Sequence, residues 1–205
     1  MGNFPTKKQI AKMQIYQVTT NLDYQWVLPQ IEESELLNLM TFDCYPKVKF
    51  WLNIDWYIYN PKRKKGNFFE LGHSGALVFD EAVFNSDLYS LIEMAGEVLP
   101  IKLEDNTNLY VLNVLKCINS LNQKETKWQL YEDGSKGRIL DYSFHTNRFS
   151  ESSLFKIPET SKVEILTYSG IKGDEDEFKS LYEYLGFTGL EFKQIYTDSL
   201  PRMML

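Results

Sequence analysis

The chain has 205 residues, 28 acidic and 22 basic, and a formal net charge of −6. An apolar share of 43% excludes a disordered polyelectrolyte, and the composition also excludes a collagen, a coiled coil and a disulfide scaffold. A pI near 5.1 argues against a nucleic-acid binder, because phosphate neutralisation needs a basic face. Aromatics are the outlier: 13 Tyr, 13 Phe and 4 Trp can build a core and still leave rings for a contact surface.

Met1 to Thr6 matches the short myristoylation pattern, read here as a chance match. Lys7 and Lys8 are followed by no apolar stretch of a secretory signal, and no run approaches the roughly 18 apolar residues of a membrane helix. A soluble cytoplasmic chain with no membrane or nucleic-acid partner is expected. Gln14 to Val27 mixes β-branched and aromatic residues and reads as a first strand region, broken by Asn21 and Asp23. Glu32 to Met40 reads as a short helix with Leu36, Leu37 and Met40 on one side. Val48 to Tyr59 is the most legible strand. Its alternation puts Leu52, Ile54, Trp56 and Ile58 on a core face, and Trp51, Asn53, Asp55, Tyr57 and Tyr59 on the other. Lys62 to Lys65 then form a solvated turn.

Ala76 to Phe79 predicts a buried strand, followed by a helix capped by Asp80 or Asn85. Phe84, Leu88, Leu91, Ile92 and Ala95 form its stripe, and Gly96 takes the C′ place. Val98 to Leu103 follows as a strand, where Pro100 points to an edge or a bulge. Leu109 to Ile118 is largely apolar, a strand or the start of a helix, and Gln123 to Gly137 is polar and turn-rich. Leu154 to Pro158 is a short strand ended by proline. Asp174 to Glu177 then complement a helix N-terminus, with Phe178, Leu181, Tyr182 and Leu185 as its stripe. Gly186 closes it and Leu190 to Tyr196 is the last strand, so a helix–glycine–strand unit occurs twice. The expected class is α+β, with mixed, mainly antiparallel sheet and a few short helices. An N-terminal lobe over 1–105 and a C-terminal lobe over 106–205 are expected to pack tightly or merge into one domain.

The search for chemistry returns no catalytic, cofactor or metal constellation. His73 and His145, the only histidines, have no ligand spacing around them. Gly72-His73-Ser74-Gly75 lacks the strand-to-helix context of a nucleophile elbow and reads as a hairpin turn. Cys44 and Cys117 read as buried free thiols of a reducing compartment, although two cysteines do allow one disulfide.

Several stretches, in order, resemble one family. They are Ala76-Leu77-Val78-Phe79 with the helix after it, Val98-Leu99-Pro100-Ile101-Lys102-Leu103, and Leu109-Tyr110-Val111-Leu112-Asn113-Val114-Leu115. Leu154-Phe155-Lys156-Ile157-Pro158 and the closing Gly186-Phe187-Thr188-Gly189-Leu190-Glu191-Phe192 complete the series. Together they are similar to bacterial immunity proteins of polymorphic toxin systems, over about Leu71 to Tyr196. Lys156 stands where that family usually has arginine, and Asn119-Ser120-Leu121-Asn122 stands where it usually has an acid. The resemblance implies a non-enzymatic protein that binds and neutralises a cognate toxin. Such a task needs buried anchors and a charged rim. Trp51, Asp55, Tyr57 and Tyr59 are the candidate contact face. The acids Asp174 to Glu177 would suit a basic toxin, but helix capping explains them better. The competing readings are a small-molecule site or enzyme assembled from dispersed residues around His73 or His145, and a nucleic-acid grip at Lys62 to Lys65.

Overall fold

The computed structural model of the chain describes residues 12–72, 74–149 and 151–198. In chain order these form β1 (Gln14–Thr20), β2 (Val27–Pro29), α1 (Glu33–Met40), β3 (Asp55–Ile58), β4 (Phe68–Phe69) and β5 (Leu77–Asp80). There follow α2 (Glu81–Phe84), α3 (Leu88–Ala95), β6 (Gly96–Leu103), β7 (Asn108–Val114), β8 (Lys127–Leu130) and β9 (Lys136–Asp141). The chain continues with β10 (Leu154–Phe155), β11 (Ile165–Ser169), α4 (Phe178–Tyr184) and β12 (Leu190–Thr197). The Met1–Thr6 pattern and His73 lie outside the described residues.

The fold is α+β, and its strands pair antiparallel except at one contact. A six-stranded sheet runs β2-β3-β6-β7-β5-β4, a four-stranded sheet β10-β11-β1-β12, and β8 pairs with β9 alone. The exception is β3, which lies parallel to β6 only at Asp55↔Lys102 and Trp56↔Leu103. Pro100 therefore sits on a stretch of β6 that β3 does not reach, where a missing N–H costs no ladder bond.

Strand alternation explains the core. On β7, Leu112 and Val114 face one apolar cluster, while Leu109 and Val111 face another on the opposite side of the sheet. The first cluster joins Val18 of β1, Phe79 of β5, the buried side of α3, and Phe178 and Tyr182 of α4, so it binds the two larger sheets together. The second lies under Leu39 of α1, Phe42 and Trp56. A third, with Ile15, Phe155 and Tyr168, is covered by the segment carrying Phe144, Trp128 and Ile139.

These pairings cut across the expected lobes. β1 lies inside the sheet built otherwise from β10 to β12, and β7 lies inside the sheet built otherwise from earlier strands. Residue 105 falls in the turn of the β6–β7 hairpin, and the polar, turn-rich Gln123 to Gly137 contains β8.

Local signals hold at some elements and fail at others. Asp80 does cap α2, accepting from Val83 N–H at 3.1 Å, and Leu88, Leu91, Ile92 and Ala95 are buried as expected. On α1, among the described side chains, Leu39 is buried, whereas Leu37 is 76% exposed. The two stop glycines differ in kind. Gly186 takes the left-handed conformation of a C′ residue, with φ +72°. Gly96 is extended and opens β6 directly; a Cβ there would run into the carbonyl oxygen of Asn113 on β7. Gly96→Ala should therefore destabilise the protein by about 2 kcal/mol through forced separation of β6 from β7. Urea denaturation measures this, and an unchanged midpoint would show that the hairpin adapts freely.

Candidate partner-binding surface

The strand expected over Val48 to Tyr59 forms only from Asp55 onward. Val48–Phe50 instead make a 3₁₀ turn, and 51–54 are irregular. A polar anchor explains the departure. The Glu97 carboxylate accepts from the backbone N–H of Lys47 at 2.5 Å and of Val48 at 3.2 Å, and from Asn113 Nδ2 at 2.8 Å. Asn113 also donates to the Tyr45 carbonyl at 2.8 Å. Backbone donors used in this way are not free for a sheet ladder.

Period-two alternation consequently fails before residue 55. Trp51 was expected on the outer face but turns inward. It stacks on Trp56 with ring centroids 5.9 Å apart, and its Nε1 donates to the Pro100 carbonyl at 2.9 Å. Leu52, expected in the core, is exposed. From Asp55 the alternation holds. Trp56 is buried, with Asp55 exposed and Tyr57 half-buried on the other side. Tyr59, just past the strand, is exposed and stacks on Trp26 at 6.1 Å, and the Arg63 guanidinium lies 5.2 Å from the same indole. Asp55, Tyr57 and Tyr59 thus share one parity on an accessible side. Trp51 does not belong with them.

The segment leading into β3 presents residues that periodicity assigned to a strand. Tyr45, Val48, Phe50 and Leu52 are all exposed, and Phe50 at 79% is the most exposed large apolar residue among those described. Lys49 is exposed beside them, and the Lys162 ammonium lies 5.0 Å from the Tyr45 ring. Lys47 is partly withdrawn; burial pushes its pKa down, while Asp43 and Glu97 pull it up. The alternation of Trp51 to Tyr59 runs through the irregular stretch without a break and hides where the strand begins. Only the Glu97 anchor, remote in sequence, reveals the turn.

The other candidates are engaged elsewhere. Of the cationic run, Arg63 donates to the Leu22 carbonyl and Lys64 pairs with Asp23 at 3.7 Å, which fastens the turn to β2's approach. Asp174–Asp176 form an exposed 3₁₀ turn, and Glu177 is buried. A cleft of about 350 Å³ between β1 and the turn before β5 is lined by Gln17, Glu70, Ser74, Glu164 and Glu191, among others. His145 lines neither this cleft nor the one beside β9. Among the described residues no group of three or more His, Cys, Asp or Glu side chains could hold a metal ion, and no helix is long and apolar enough to cross a membrane. Neither a known protein-family model nor a curated protein matches the sequence.

Proposed function

We propose that the protein is a binding module that neutralises a cognate toxin polypeptide inside the cell that makes it. The observation that carries the reading is the surface itself. Tyr45, Val48, Phe50 and Leu52 are displayed in one short segment, and Asp55, Tyr57 and Tyr59 follow along the strand it leads into. Large exposed apolar side chains with charged neighbours are the composition of a protein-contact site. The ordered resemblance to toxin-system immunity proteins supplies the class of partner. Inhibition by contact asks for no catalytic group.

The partner to use is the polypeptide encoded by a toxin gene directly upstream, co-purified with this chain. Phe50→Asp should weaken the complex about 30-fold, roughly 2 kcal/mol, because it charges an anchor position. Tyr57→Ala and Tyr59→Ala should each weaken it by a smaller factor. Trp51→Ala should act first on stability, through its lost stack with Trp56. Unchanged affinity in both Phe50→Asp and Tyr57→Ala would remove this surface. Failure to form any complex would remove the neutralisation reading altogether.

A further inference from the structure

Away from that surface, the fold gathers both cysteines of the chain beside one buried lysine. Lys156 is fully buried, and its Nζ donates to the carbonyls of Phe42 and Gly75, each at 2.6 Å. Its backbone lies against Cys117: Lys156 N–H donates to the Lys116 carbonyl and Ile118 N–H to the Lys156 carbonyl, both at 2.8 Å. Phe42 is two residues before Cys44, and Tyr45, the residue after it, is tied by its carbonyl to Asn113 of β7. The segments carrying the two cysteines are therefore fastened to each other from both sides. The two thiols are near enough to interact, and Cys117 is among the groups that raise the Cys44 pKa. Both are free thiols, and neither is buried as the sequence suggested: Cys44 is half-buried and Cys117 exposed.

We propose that Cys44 and Cys117 are a reversible dithiol–disulfide pair, with Cys117 the attacking thiol and Cys44 the resolving one, closed by a hydroperoxide. The exposed Cys117 thiolate attacks the peroxide; the O–O bond breaks, water or an alcohol leaves, and a sulfenic acid forms on Cys117. Cys44 sulfur then attacks the sulfenic sulfur. The S–S bond forms, the S–O bond breaks, and the departing hydroxide takes the Cys44 proton as water. Two thiols are oxidised by two electrons, and one peroxide is reduced. The roles follow from the environments. Burial pushes the Cys44 thiol up to about 11, so it keeps its proton, and Cys117 is the more exposed of the two and the one a peroxide reaches first. Closing the pair brings the sulfurs to about 2.05 Å, between segments already held together. The bond would fasten the Tyr45–Leu52 segment to the end of β7. The proposal does not depend on the identity of the protein's partner.

The test treats the full chain with hydrogen peroxide and counts thiols under denaturing conditions. The count should fall from two to none, with an intact mass lower by about 2 Da, both reversed by dithiothreitol. Peptide mapping without reductant should join Cys44 to Cys117 within one chain. The oxidised chain should melt about 10 °C higher, since the link closes a long loop. Cys44→Ser should instead accumulate a sulfenic acid on Cys117, trapped by dimedone. Two thiols surviving peroxide, a crosslink only between chains, or sulfinic acid on Cys117 with Cys44 untouched would each overturn the proposal.

Discussion

Replacing Lys156 by methionine is expected to cost about 3 kcal/mol of stability, read as a lowered urea midpoint. The ammonium is wholly buried without a carboxylate partner at ion-pair distance among the described residues. It is held by the carbonyls of Phe42 and Gly75. Those oxygens belong to the loop before Cys44 and the turn before β5, while the lysine follows β10, so one side chain joins both larger sheets. Methionine fills the volume and removes the cost of burying a charge, but it leaves two carbonyls unpaired in the interior. Their loss outweighs the relief. The pH dependence separates charge from packing. Burial lowers the Lys156 pKa from 10.5 to about 8, against the pull of Cys44, Asp43 and Cys117. Below pH 8 the folded and unfolded chains both hold the proton. Above it the folded chain gives the proton up first, so the unfolded state binds more and stability rises with pH. The gap between wild type and Lys156→Met should therefore widen between pH 8 and 9, by up to about 1.4 kcal/mol. The Cys44 thiol, raised by burial, loses its proton in the unfolded chain over this range, but it does so in wild type and variant alike, so their difference reports Lys156. A gap that stays flat or narrows would show that the buried amine does not change charge there.

Much of the fold follows from periodicity where burial is two-sided or one-sided without interruption. β5 is buried on both faces, and α3 shows an uninterrupted stripe, so Ala76 to Phe79 and Leu88 to Ala95 read directly. Resolution is lost where a distant polar group competes for the backbone. Val48 to Ile54 has strand composition, yet Glu97 and Asn113 hold the Val48 N–H and, just before it, the Lys47 N–H and the Tyr45 carbonyl, so the segment enters as a turn. Leu37 misleads for a simpler reason. On a helix of eight residues, a single leucine beyond the buried side is tolerated at the surface. The grouping of strands into sheets is not legible locally either, because sheet order is set by long-range pairing. Nothing local in Gln14 to Thr20 tells that it joins Ile165 to Ser169 and Leu190 to Thr197.

The candidate surface was legible only in its second half. Asp55, Tyr57 and Tyr59 keep the strand's parity, and their exposed or half-buried state follows from it. Phe50 and Val48 were hidden by the same alternation that exposed Tyr57, because a turn changes which way consecutive residues point. Cys44, Cys117 and Lys156 are separated widely in the chain, and no spacing rule brings them together. The one clue was chemical: a lysine inside the apolar run Leu154 to Ile157, where only paired or hydrogen-bonded charge survives.

Glu177→Gln should destabilise the protein by about 2–3 kcal/mol, and Glu177→Ala by more. The sequence placed this residue among acids that complement a helix N-terminus, but its side chain makes no cap bond to α4. It turns back instead into the loop after β11. One carboxylate oxygen accepts from the N–H groups of Ile171 at 2.7 Å and Lys172 at 2.8 Å, and the other from Gly170 at 2.9 Å. The helix cap comes from another element, as Ser153 Oγ accepts the Phe178 N–H at 3.0 Å. Burial pushes the carboxyl pKa up, and the three donors oppose that rise. Glutamine has the same shape but only one acceptor oxygen. Its amide group must face an N–H donor, leaving at least one of the three unpaired in a site that is 1% exposed. Alanine strands all three. Ser153→Ala, which removes a single neutral acceptor, should cost only about 1 kcal/mol. Urea midpoints for the three variants should therefore fall in the order Ser153→Ala, Glu177→Gln, Glu177→Ala, each lower than the last. If Glu177→Gln matches the wild type, the loop's donors find water, and the carboxylate is not what holds the start of α4 against β11.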